Sequence, residues 1–126
     1  MIGYVTLGTN DREKSAAFYD AICGELGQGR MFDTPTFIAW GEAGGATGIG
    51  LTKPFDGQPA TIGNGVMVAF EAKSSDQVDK LYQLALANGG TDEGAPGDRG
   101  GGFYAGYFRD PDGNKLNAFL FVPQEG

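Results

Sequence analysis

Sixteen carboxylates, nine lysines and arginines, five tyrosines and one cysteine are the titratable side chains of this 126-residue sequence, which contains no histidine. That absence removes Ser-His-Asp and Cys-His catalysis, histidine-ligated zinc and the two-histidine, one-carboxylate iron site. Acid–base chemistry is left to carboxylates, tyrosines, lysines and arginines. Cys23 lies beside the apolar stripe of a predicted helix and reads as a small buried residue. A reactive thiol needs a cationic neighbour, which the local sequence does not supply.

The strongest local signal runs from Phe103 to Phe119. Two aromatic and apolar runs flank Asp110-Pro111-Asp112-Gly113-Asn114. Proline fixes φ within this turn, and Gly113 or Asn114 accepts positive φ at low cost, so the stretch predicts a β-hairpin. Arg109 beside Asp110 reads as a surface or turn-supporting charge. Arg99 precedes Gly100-Gly101-Gly102, a flexible segment that reads either as a solvated loop or as a lid whose arginine meets an anionic group. Trp40, Phe103, Tyr104 and Tyr107 offer flat aromatic surface for a pocket that binds small organic molecules. Tyr104 and Tyr107 are three apart and cannot both face inward on a regular strand.

The elements that must position these residues follow from periodicity. Residues 2–7 alternate as a strand, Tyr4 and Thr6 on one face, Val5 and Leu7 on the other. Thr9-Asn10-Asp11 starts a helix whose stripe is Phe18, Ala21, Ile22 and Leu26, and Gly27 ends it. Strands are predicted at 28–32, 36–40 and 49–53. The separator at 41–48, with Gly44-Gly45, reads as a mobile connection. Residues 54–64, rich in Pro and Gly, read as a linker. The pattern then restarts: a strand at 66–71, with Met67 and Ala69 on one face, and a helix capped by Ser74 and Gln77 with the stripe Val78, Leu81, Tyr82 and Ala85. Asn88-Gly89-Gly90 ends it. A loop over 91–102 holds a short strand near 91–93, and the hairpin closes the chain. In both halves the face opposite Tyr4 or Met67 is apolar and should bury against the helices. The Tyr4/Met67 face is then the inner wall of whatever the sheets enclose.

The expectation is one domain, residues 1–126, with an internal repeat over 1–55 and 64–122. The twenty-three glycines have no three-residue period, which excludes collagen. The formal charge of −7 without a basic cluster argues against nucleic acid and favours a cationic small molecule over an anionic one. No apolar run suffices for a membrane helix, and the sequence enters its first strand with no signal segment, so a cytoplasmic protein without membrane partners is expected.

The paired βαβββ halves, Tyr4-Val5-Thr6-Leu7-Gly8 leading to Phe18-Tyr19-Asp20, residues 89–97, and above all Tyr107-Phe108-Arg109-Asp110-Pro111-Asp112-Gly113-Asn114 resemble the vicinal oxygen chelate superfamily. This is the family of glyoxalases, extradiol dioxygenases and bleomycin and fosfomycin resistance proteins. The resemblance implies an α+β fold of two βαβββ modules, a curved mixed-sheet cup with helices on the outside, often a homodimer. It also implies a divalent metal held by histidines on the first strands and a glutamate three residues after the Asn of the turn. Those positions are here Tyr4, Met67 and Asn117, with a fourth near Leu51. Phenol, thioether, amide and alkyl groups make no site for such a cation, so neither metal nor other cofactor is expected. Tyr4 becomes a possible ligand donor or wall residue, Met67 adaptable lining, Asn117 an amide that orients a ligand, and Phe119 its neighbour on the same face. The leading expectation is a metal-free binder of a small organic molecule of the bleomycin-resistance type. The alternatives are a glyoxalase-related lyase or isomerase, and a dimeric scaffold with a vestigial pocket.

Overall fold

The computed structural model describes residues 1–42, 45 and 47–122. The element order is β1 (Tyr4–Gly8), α1 (Arg12–Glu25), β2 (Gly29–Thr34), β3 (Phe37–Gly41), β4 (Gly48–Thr52), β5 (Val68–Glu71), α2 (Ser75–Ala87), β6 (Thr91–Asp98), β7 (Phe103–Arg109) and β8 (Lys115–Phe121). The strands form two four-stranded sheets, ordered β1-β4-β3-β2 and β5-β8-β7-β6. In each, the first strand runs parallel to its neighbour across the helix crossover, and the other pairs are antiparallel. This is the α+β architecture of two βαβββ modules. The connection predicted to be mobile lies in part, at Gly44, outside the described residues.

Local chemistry explains the helix ends. Asp11 caps α1 by accepting from the Lys14 N–H, and Glu13 sits in the first turn, where the helix dipole favours it. Ser74 caps α2 by accepting from the Gln77 N–H at 3.1 Å. Gln77 reaches back to the Lys73 N–H at 2.9 Å, closing a variant of the capping box. Gly27 and Gly89 follow the two helices at φ +78° and +93°, where a side chain would be strained.

β6 is longer than the sequence predicts. Gly94, Pro96 and Gly97 suggest a loop, yet the strand continues to Asp98 with register shifts between Asp92 and Gly94 and between Gly94 and Gly97. β6 is an edge strand. Bulges absorb the glycines there, and an edge position tolerates the missing proline N–H.

The helices bury the faces expected of them. Phe18, Tyr19 and Ile22 of α1 and Val78, Leu81 and Ala85 of α2 join Ile38, Trp40, Leu51, Phe108 and Leu116 in one core. α1 is shared between the modules. Tyr19 packs on Trp40 of its own sheet, centroids 5.5 Å apart, and Phe18 on Phe108 of the other sheet at 6.3 Å. Among the described residues no strand of one sheet contacts a strand of the other; the helices touch each other instead. Each helix covers one side of its own sheet and leaves the other side open.

The Asp-Pro-Asp-Gly-Asn turn locks this arrangement. Asp110, 2 % exposed, accepts from the Tyr19 hydroxyl, from the Asn114 side chain, and from the backbone N–H groups of Asp112 and Asn114. Asp112 accepts from the Ser15 hydroxyl and the Asn10 N–H. Asn114 also donates to the Gly8 carbonyl at 3.0 Å. The second module's turn is thus bonded to β1, to the loop after it and to α1 of the first. Burial raises the Asp110 carboxyl above its ordinary value, against the lowering by Tyr19 and Asn114. Burial, then the Asp110 charge, pushes the Tyr19 phenol well above its usual value.

Replacing Tyr19 by Phe leaves Asp110 one donor short in a buried place and should cost about 1–3 kcal/mol in urea unfolding; an unchanged midpoint would contradict the latch. Because the folded Tyr19 value is raised, its contribution is fully present below the free phenol's pKa of about 10 and is lost as pH rises beyond it toward the native value. Absorbance titration should therefore show one tyrosine that ionises only as the protein unfolds. Burial pushes the Cys23 thiol up to about 12. Native protein should leave a thiol reagent unreacted at neutral pH, with one equivalent consumed on adding denaturant.

Candidate functional site

The open face of the second sheet carries most of the candidate residues. Tyr107 on β7 and Asn117 on β8 are direct cross-strand partners, Ala69 of β5 flanks Asn117, and Phe119 pairs with Ala105 and Glu71. Phe103, Phe119 and Phe121 form an aromatic shelf, Phe103 stacked on Phe119 at 5.9 Å and tilted against Phe121 at 5.0 Å. Arg99 folds back from the end of β6, donates to the Ala95 carbonyl at 2.6 Å and places its guanidinium carbon 5.5 Å from the Tyr107 ring centre. Lys115, on the Asn117 face of β8, places its ammonium 5.8 Å from the same centre. Arg109 is held by Glu93 and by the Gly113 carbonyl, which is the turn-supporting part its position suggested. That contact lowers the Glu93 carboxyl. Asn117 is 1 % exposed, and its Oδ1 has no hydrogen-bond partner among the described residues. A buried acceptor left in this state is costly and calls for a donor.

The first sheet's open face is uncharged along its paired positions. Tyr4, 67 % exposed, and Thr6 of β1 pair with Gly48 and Gly50, which pair in turn with Gly41 and Ala39. The Phe37 ring lies on Gly50: a Cβ there would come within 2.7 Å of it. The Met31 sulfur covers Gly41 in the same way. Glycines thus form a floor on which Phe37 and Met31 lie flat.

Two aromatic candidates stand elsewhere. The Trp40 indole N–H donates to Asp20 at 2.8 Å on the helix side of its sheet, and Asp20, its carboxyl lowered chiefly by Arg30, holds both groups. The Tyr104 hydroxyl donates to Asp79 of α2 at 2.6 Å. Tyr104 therefore faces its helix, and Tyr107 is the tyrosine of β7 that faces out. Met67, 41 % exposed, lies one residue ahead of β5, where alternation places it with Ala69. So Arg99, Tyr107, Asn117 and Phe119 come together, Tyr4 lies on the other sheet's open face, and Trp40 and Tyr104 join neither. Lys115 escaped the sequence reading, although its two-residue spacing from Asn117 was the available signal. A groove of about 540 Å³, lined by Val5, Ile49 and Trp40 on one side and Val68 and Phe70 on the other, separates the unpaired edges of β1 and β5.

A divalent metal does not fit these residues. Tyr4, Met67 and Asn117 offer phenol, thioether and amide, and Leu51, 2 % exposed, belongs to the core. Among the described residues no group of three or more His, Cys, Asp or Glu could hold an ion.

No curated protein matches the sequence significantly. Solved structures do. The chain is 42% identical to a glyoxalase/bleomycin resistance protein from Albidiferax ferrireducens T118, covering 96% of this chain and 98% of that one with a TM-score of 0.88. A putative glyoxalase from Bacillus halodurans is 24% identical, with 95% of each chain covered and a TM-score of 0.78. Lactoylglutathione lyase from Agrobacterium tumefaciens is 21% identical, with 95% and 92% covered and a TM-score of 0.69; at that identity the likeness is one of fold. A family model matches residues 1–118. The chain belongs to the Glyoxalase/Bleomycin resistance protein/Dioxygenase superfamily.

Proposed function

We propose that this protein binds a small organic molecule, without a divalent metal, in a cup that two copies of the chain complete together. The observation that carries the reading is that each sheet keeps one face open in a single chain, both faces carrying aromatic and apolar side chains. Tyr4, Met31 and Phe32 on one sheet and Met67 and Phe121 on the other are exposed, an unusual surface for a free monomer. β1 and β5 also leave one edge each unpaired. A second copy related by a two-fold axis would lay its first sheet over this chain's second sheet, twice, so that Tyr4 of the partner subunit faces Tyr107 and Phe119. Such a cavity, apolar with few polar groups, has the character of a ligand pocket. The donor set supports binding without metal.

Among the described residues no helix is long and apolar enough to cross a membrane. The cytoplasm is the proposed compartment, supported by a single buried thiol in place of any disulfide.

Three measurements test this. Light scattering should give twice the 13.2 kDa chain mass; a monomer at micromolar concentration would leave the cup unbuilt. Protein stripped with chelator should keep its melting temperature when zinc, nickel or manganese is added, because no site gains binding energy. One ion bound per chain, with lyase turnover of a thiol–aldehyde adduct, would replace this reading by an enzymatic one. Small aromatic molecules should raise the melting temperature, and Phe119→Ala should weaken that binding by about tenfold, from lost apolar contact of ~1.5 kcal/mol.

A further inference from the structure

The net charge of −7 suggests a cationic ligand, but the charges on the second sheet's open face point the other way. Resting on the proposed cup, we infer that its ligand is an organic anion with an aromatic or apolar body. Its negative group would sit between Arg99 and Lys115 beside Tyr107.

Arg99, just past the end of β6, and Lys115, at the start of β8, converge on one ring, 5.5 and 5.8 Å from its centre. Neither forms an ion pair among the described residues, and the same holds for Lys14, Lys53, Lys73 and Lys80, whereas Arg12, Arg30 and Arg109 are paired. What sets Arg99 and Lys115 apart is that both stand at the same ring. Of the carboxylates on this face, Glu93 is bonded to Arg109 and is held low chiefly by it, with a smaller contribution from Lys115, and Glu71 pairs with Phe119, four residues along β8 from Lys115. The first sheet's open face adds no charge along its paired positions.

The same patch supplies two further elements. The Phe103, Phe119 and Phe121 shelf lies on the same face and offers a seat for the ligand's body. Asn117, two residues from Lys115 and nearly fully buried, presents an Oδ1 with no donor. A ligand N–H or O–H near the anionic group would satisfy it. A guanidinium and an ammonium flanking an aromatic ring form charge-assisted hydrogen bonds with a carboxylate or phosphate while the ring covers the adjoining carbons.

The test uses three probes of nearly one shape, each with an indole N–H: indole-3-acetate, indole-3-acetamide and tryptamine. Calorimetry on the full chain at low salt should rank the anion first, by about tenfold over the amide, with the cation weakest. Arg99→Gln and Lys115→Gln should each weaken indole-3-acetate by about tenfold and leave indole-3-acetamide nearly unchanged. Both side chains are at the surface or partly exposed, and circular dichroism checks that the variants fold. Indoxyl phosphate then assigns the head group, since a phosphate that outranks the acetate would make phosphate the preferred anion. If the amide or tryptamine binds as tightly as the acetate, and Phe119→Ala weakens that binding, the cup stands and the anion is refuted. If none of the probes binds, both the cup and the anion fail.

Discussion

One buried carboxylate holds the two modules in their relation. Asp110 sits in the turn of the last hairpin, and its four donors include a tyrosine of the first helix 91 residues earlier in the chain. A carboxylate this deep survives only with such a complete set of donors, since an unpaired one would cost several kcal/mol. The hydroxyl of Tyr19 is therefore part of a long-range clamp, which Asp112 repeats beside it through Ser15 and Asn10. This turn ties the second module to β1 and α1, and α1 packs on residues of both sheets, Tyr19 on Trp40 and Phe18 on Phe108.

Much of this architecture was legible in the sequence. Asp11, Ser74 with Gln77, Gly27 and Gly89 mark the helix ends by local chemistry, and the stripes of α1 and α2 bury as their spacing requires. The hairpin turn is also a local signal, with Gly113 at φ +97°. What could not be read locally is the reach of Asp110 to Tyr19 and of Asp112 to Ser15 and Asn10, 91 to 102 residues away. The turn reads from sequence as geometry alone, whereas in the structure it is also the clamp. β6 was hidden for the opposite reason: Gly94, Pro96 and Gly97 signal a loop, and only the pairing with β7 at a sheet edge overrides them.

The site was legible in part. Asn117 and Phe119 share a face by simple alternation, and Arg99 was marked by the glycines after it. The choice between Tyr104 and Tyr107 was not decidable locally. It depends on which side of β7 meets α2, and Asp79 settles it by accepting from Tyr104. Trp40 turns its indole to Asp20 and Tyr19 on the helix side, so it lines the groove beside β1 and not the open face of its sheet. Where the resemblance places metal ligands, the sequence has Tyr4, Met67 and Asn117. The Asn117 amide, its oxygen unpartnered among the described residues, stands beside two cations and an aromatic shelf.

The central claim is that the site is shared between chains, with Tyr4 of one facing Tyr107 and Phe119 of the other. Isotope-filtered nuclear Overhauser spectroscopy on an equal mixture of labelled and unlabelled protein tests it most directly. The account predicts intermolecular contacts between the Tyr4 ring and the Tyr107 and Phe119 rings. Contacts among these rings only within one chain, or none at all in a protein shown to bind its ligand, would contradict it.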